Sequence, residues 1–335
     1  MTALRRSAAH CRAWLLTAAL AVAGVLTAAA PGGTPAAAAA TAPCVSMTGT
    51  QPASPGPQST FLNRVVVRSP CDAWTVGGIS ASGNGPSRTL IEHWDGARWT
   101  QAPSQDPGSA ENTLLAVAAT SATNAWAVGW YVPAGAGNAD TRTLIEHWDG
   151  TSWTLAPQSA SSIPGQLDDV SGTGWAVGSQ PAGGGLIEHW NGRVWSVAPG
   201  PDLGAAIVAN LTGVSATSPS NIWAVGYLLT PGLQLNTIIE HYDGTGWTLS
   251  PSPDFALLDG VAATSPADAW AAGLGPNDNP LVLHYDGTSW VPVPVQGGGG
   301  LGGVSASSPA SVWAVGDLID QGEPSGPLAL HLRCC

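Results

Sequence analysis

A glutamate followed by a histidine recurs along the 335-residue chain, at Glu92–His93, Glu146–His147, Glu188–His189 and Glu240–His241. Weaker copies at His284 and His331 have Leu283 and Leu330 in the glutamate's place. A carboxylate beside an imidazole is the equipment of general acid–base chemistry, and neutral imidazole is a common metal ligand. The repetition argues against both. Catalysis needs one positioned constellation, not six equivalent ones, and the leucine copies show that the charge is not obligatory. The Asp-Gly or Asn-Gly pair that follows, as at Asp149–Gly150, is the strongest short signal for a tight hairpin. These residues are therefore expected to build the fold: the histidines as buried, hydrogen-bonded spacers between units, and the Asp-Gly pairs as turns.

A second phrase sets the period. Trp-Ala/Thr-Val/Ala-Gly begins at Trp74, Trp126, Trp175, Trp223, Trp270 and Trp313, at intervals of 52, 49, 48, 47 and 43 residues, and each copy precedes one of the six histidines. Within a unit, short runs rich in Val, Ile, Thr and Trp alternate with Gly, Pro, Asn and Asp, which is strand patterning. Residues 114–120, 125–131, 142–148 and 152–157 give four such runs in one unit. Four antiparallel strands in each of six repeats predict an all-β, six-bladed β-propeller. A stacked solenoid would need polar capping units, and neither end supplies one. The histidines then fall on the third strand from the axis. Strands lie about 4.8 Å apart, too far out for histidines of opposite blades to share a metal with ligand distances of about 2.1 Å.

The pairing of "WAVG" with "HWDGTSWTLAP" resembles the kelch repeat, as in the central propeller domain of galactose-oxidase-like proteins. The likeness extends over nearly all of residues 43–335 and is most similar to secreted kelch-like proteins of actinomycetes. It implies a fold more firmly than an activity. The double glycine of such repeats is mostly reduced to one here, Gly77–Gly78 excepted. The turn from Asp149 to Trp153 is one residue shorter than a sialidase-type Asp-box. A copper centre of the galactose-oxidase type needs a cross-linked Tyr–Cys pair, and the four tyrosines (Tyr131, Tyr227, Tyr242, Tyr285) do not provide it. A sialidase-like site needs three convergent arginines, which are also lacking. No cofactor or catalytic residue is therefore assigned.

The two ends complement each other. Arg5, Arg6 and Arg12, an apolar stretch and an Ala/Pro-rich run mark residues 1–42 as a secretory signal and leader, so the chain is expected outside the cell. Residues 43–335 form one propeller. The last unit stops after its third strand, whereas residues 44–58 precede the first, so residues near Val45–Thr50 are expected to supply the outer strand of blade six and close the ring. Cys44, Cys71, Cys334 and Cys335 are even in number and bound for an oxidising compartment. The antiparallel order places them on one face, with Cys44 and Cys71 each bonded to one of the terminal pair, in either order.

Charge narrows the partners. The net charge is −12 and no lysine is present, so nucleic acid and anionic membranes are poor partners, and no membrane association is expected once the signal is removed. Function should sit where the repeats differ, on the loops between second and third strands. Trp130, Tyr131 and Tyr227 follow the Trp-Ala-Val-Gly phrase where other repeats carry Gly, Ser, Leu or Asp, and they are the candidate ligand-binding residues. The expected function is a non-enzymatic, monomeric extracellular binding module for a glycan or protein. The alternative is a carbohydrate-active hydrolase, lyase or oxidase on the same scaffold.

Overall fold

The structure, a computed structural model, describes residues 59–80, 86–137, 140–160, 163–254, 256–320 and 323–332. Its strands form six sheets. In blade one, β1 (Ser59–Ser69), β2 (Asp72–Ser80), β3 (Ser87–Trp94) and β4 (Trp99–Ala102) lie side by side in chain order, all antiparallel. The same order recurs in blade two (β5–β8, 112–155), blade three (β9–β12, 166–197), blade four (β13–β16, 208–249) and blade five (β17–β20, 257–292). Blade six has three described strands, β21–β23 (300–332). From blade one to blade six, the first strand of each blade packs on the first strand of the next, which makes it the innermost. This is the six-bladed, all-β propeller that the repeat period implies.

The glycine of the repeated phrase has a steric cause. Each first strand carries a bulge opposite it, as between Leu114 and Ala116 or between Leu211 and Gly213. The bulge presses a carbonyl into the second strand. A Cβ on Gly129 would stand 2.0 Å from the oxygen of Thr113, and one on Gly226 would stand 1.9 Å from that of Asn210. No other residue fits there.

The core lies between blades. Trp74, Trp126, Trp175, Trp223 and Trp270 are 2–4% exposed. Four of them meet the next blade in the same way. Trp223, for example, lies 4.7 Å from Tyr285 and 5.1 Å from Trp290, the latter edge-on. Trp74 meets Trp148 and Trp153 likewise. An apolar cluster fills each junction from blades one–two to blades five–six. Among the described residues no such cluster joins blade six to blade one. There Trp313 is 50% exposed, and Val65 and Val67 of β1 are 55% and 68% exposed. The expected closing strand near Val45–Thr50, the signal and leader, and Cys44, Cys334 and Cys335 all lie outside the described residues.

Candidate functional site

The repeated histidines answer to a structural role, with one correction to the sequence reading. They are half-buried rather than buried, His331 is exposed, and the bonds they make stay within their own blade. The His147 Nε2 lies 2.8 Å from Asn124 Oδ1, and the ring lies 4.2 Å from Trp126. His93 with Asp72, His241 with Asn221 and His284 with Asp268 repeat the contact at 2.8–3.0 Å. These four histidines thus tie the third strand to the start of the second, and all six rings lie against the tryptophan of the repeated phrase. Burial lowers the pKa of His147, His189 and His241, so these rings favour the neutral form.

The Asp-Gly pairs are turns. Asp149 Oδ1 accepts hydrogen bonds from the Thr151 and Ser152 amides and from the Thr151 hydroxyl, while Gly150 takes φ +98°. Such bonds hold Asp149, Asp243 and Asp286 at a pKa of about 2. A carboxylate so committed has no proton to give near neutrality.

Trp130, Tyr131 and Tyr227 are not gathered. Trp130 pairs with Thr113 and Thr143, and Tyr131 with Asn112 and Arg142. As consecutive strand residues they project to opposite faces. Tyr131 packs on the blade one–two cluster and lines a small cleft with Pro107, Thr143 and Gln158. Tyr227 is the equivalent of Trp130 two blades away, and all three side chains are half-buried. Cys71 sits in the turn between β1 and β2 and is not free.

The axis carries acidic residues on innermost strands. Arg64 Nη2 lies 3.5 Å from Asp169 Oδ1, whose other oxygen accepts the Val214 amide at 2.9 Å. Burial pushes Asp168 and Asp259 up to about 6. Among the described residues no group of three or more His, Cys, Asp or Glu side chains is placed to hold a metal ion.

A concavity among the described residues lies elsewhere, between blades three and four. It has a volume of about 360 Å3 and is bounded by Gly183–Gly185, by the linker from Gly200 to Ala206, by Ile187 and Leu211, and by Glu240. Glu240 is 1% exposed, its Oε2 has no hydrogen-bond partner, and burial raises its pKa to about 7. The pocket opens on the face of the second-to-third-strand loops and blade-joining linkers.

Comparison among repeats shows how it arises. In three other blades a third-strand threonine hydroxyl bonds to the first linker side chain after the proline: Thr89 to Ser104 at 2.7 Å, Thr143 to Gln158 at 2.8 Å and Thr237 to Ser252 at 2.7 Å. In blade three both positions are glycine, Gly185 and Gly200. The next linker residue matters too. Gln105 donates its amide to Glu146 Oε2 at 3.1 Å, but the equivalent residue before Glu240 is Pro201, which has no N–H to give. Thr143 and Gln158 stand beside Glu188 and offset the upward push of burial, leaving it at about 7. Glu146, with its one amide bond, stands at about 8, burial again dominating. The sequence reading missed this site because it treated Glu240 only as one member of a repeated set. The signal was present in the register of Gly185, Gly200 and Pro201 against their counterparts.

No protein-family model matches the chain, and no curated protein matches it. Among solved structures it is similar to YCF48 bound to D1 peptide, at 19% identity and a TM-score of 0.48 over 82% of this chain and 79% of that one. It is also similar to the SapL1 lectin in complex with alpha methyl fucoside, at 14% identity and 0.47 over 83% and 93%. The GH74 xyloglucanase from Xanthomonas campestris is similar at 16% identity and 0.49 over 77% and 42%. Likeness at this level carries no inference about ligand or activity. The assignment as a six-bladed β-propeller protein rests on its own six sheets.

Proposed function

We propose that the chain is an exported, kelch-like propeller that acts as a binding module, taking an extracellular ligand on the face of its second-to-third-strand loops. The observation that carries the reading is the pocket between blades three and four, where Glu240 stays buried and unanswered while the residues that fill the equivalent space elsewhere are lost. Pockets of a few hundred Å3 with few, well-placed polar groups are the usual form of small-ligand sites. The signal-like composition of the first 42 residues supports an extracellular ligand, a glycan or the exposed part of a protein.

The test is a glycan-array and secreted-protein screen with the mature chain, repeated with Gly184→Trp. An added Cβ at Gly184 meets no atom nearer than 4.0 Å, so the indole blocks the mouth without disturbing the core. Binding that is lost in this variant, with an unchanged melting temperature, supports the reading. Binding that persists at full strength, or turnover of a polysaccharide by the wild type, overturns it.

A further inference from the structure

We propose that the pocket between blades three and four takes a small organic cation, bound through a primary ammonium group paired with Glu240. This rests on the pocket being the ligand site, and it goes further by naming the ligand's chemistry.

The repeats differ in which residues they keep together. Where the linker offers an amide, at Gln105, the glutamate is kept as Glu146 and bonded. Where the linker has proline in that place, at Pro253, the glutamate is gone and Leu283 is buried instead, at 0% exposure. These two junctions have a donor with an acceptor, or neither; the junction of blades five and six departs from this, with Gln296 in the linker and Leu330 on the strand. Blade four sets Glu240 against a linker proline, Pro201, which has no N–H to give, and Glu240 Oε2 has no hydrogen-bond partner. Both Glu188 oxygens also lack one, but Glu188 stands against Thr143 and Gln158 whereas Glu240 lines open space. A buried carboxyl without a partner is costly, and here it borders open space rather than packed side chains. The Cβ that Gly200 lacks would stand 3.8 Å from Glu240 Oε2, so the missing side chain at Gly200 leaves room beside a carboxyl group that lines the cavity, although this oxygen is itself buried.

The rest of the lining fixes the class of ligand. The walls are glycine, alanine, proline and aliphatic side chains, and the second ionisable group of the lining is Asp202, exposed near the linker turn. Among the described residues no lysine, arginine or histidine borders the cavity. An anionic ligand would meet two carboxylates and no counter-charge. An ammonium ion supplies both the missing donors and the missing charge, and charge-assisted bonds of this kind are stronger than neutral ones. The aliphatic walls suit a short hydrocarbon stem behind it.

Burial holds Glu240 at about 7, and only its ionised form pairs with an ammonium. Affinity therefore rises as pH increases through 7 and levels off above it. Asp202 is the other carboxyl group facing the same space.

The experiment is an NMR titration of the mature protein at pH 8 with n-butylamine, and in parallel with n-butanol and glucose as neutral probes. The expected result is saturable binding of the amine, at least tenfold tighter than either neutral probe, centred on Gly184, Gly200 and Leu211. Glu240→Leu reproduces the residue of blades five and six, so it is expected to fold, and it should lose the preference for the amine. The triple variant Gly185→Thr, Gly200→Ser, Pro201→Gln restores the side chains found between blades one and two, and it should lose binding altogether. Equal binding of amine and neutral probes, or an amine preference that survives Glu240→Leu, overturns the cation assignment. If amines fail while a glycan or protein still binds and is lost in the triple variant, the ligand class is wrong but the pocket reading stands. If the triple variant binds every ligand as the wild type does, both fall.

Discussion

Trp313 stacks on His331 with ring centroids 4.2 Å apart and planes 6° from parallel, the pairing made in every other blade, yet half of Trp313 is exposed. Its five counterparts are covered by the blade that follows or, for Trp270, by the apolar side chains of blade six. The stack within the blade is thus independent of the junction between blades. What distinguishes blade six is the absence, among the described residues, of a fourth strand and of a packed neighbour on that side.

Residues near Val45–Thr50 are expected to occupy the free edge of β23, with Cys44 and Cys71 each bonded to one of Cys334 and Cys335. Hydrogen exchange tests the strand directly. Outer-edge amides within Leu328–Leu332 should be protected in the chain that starts at residue 43 and should exchange rapidly in one that starts at residue 59. Identical exchange in the two would assign the edge to some other partner. Denatured, unreduced mature protein should also show no thiol reactive with maleimide, and a titratable thiol would break the proposed pairing.

Burial differences predict unequal costs for the same substitution. Trp223 is 2% exposed and meets two rings of blade five, so Trp223→Ala should cost about 3–5 kcal/mol in chemical denaturation. Trp313→Ala leaves a smaller loss because half of the indole already contacts water, and less than half that cost is expected. Equal costs would mean that Trp313 is covered in solution by blade one.

The repeat made the architecture legible. Trp223, Gly226 and His241 have the same meaning in every blade, since each is fixed by contacts that the repeat itself supplies: an inter-blade ring, a bulged carbonyl and an intra-blade hydrogen bond. The pocket was harder to read for the same reason. Gly185, Gly200 and Pro201 are unremarkable residues in a chain rich in glycine and proline, and their effect lies in what they fail to do for Glu240, which sits on another blade. Trp130 and Tyr131 drew attention by being unlike their counterparts, but the pleat of the strand sends them to opposite faces. A difference in type is visible along one repeat. A missing partner is visible only when two neighbouring repeats are aligned against each other.

The buried glutamates set a pH dependence of stability whose sign is fixed. Burial raises Glu146 to about 8 and Glu188 and Glu240 to about 7, from an ordinary value of 4.5. The folded chain therefore binds more protons than the unfolded chain between these limits, and stability falls as pH rises through them. Below 4.5 both states are protonated and the difference vanishes. The histidines act the other way. His147, His189 and His241 have pKa values lowered from 6.5 by burial, so their destabilising protonation is felt only as pH falls below 6.5. From pH 6.5 to 8 the glutamates act without that opposition, and the melting temperature should decline across this window. Glu240→Leu removes one of these contributions and installs the residue that blade five tolerates at the same place, so it should flatten the decline and raise the melting temperature at pH 8 more than at pH 5. A decline of undiminished slope in this variant would show that Glu240 is solvated in the folded protein and ionises there as it does in the unfolded chain.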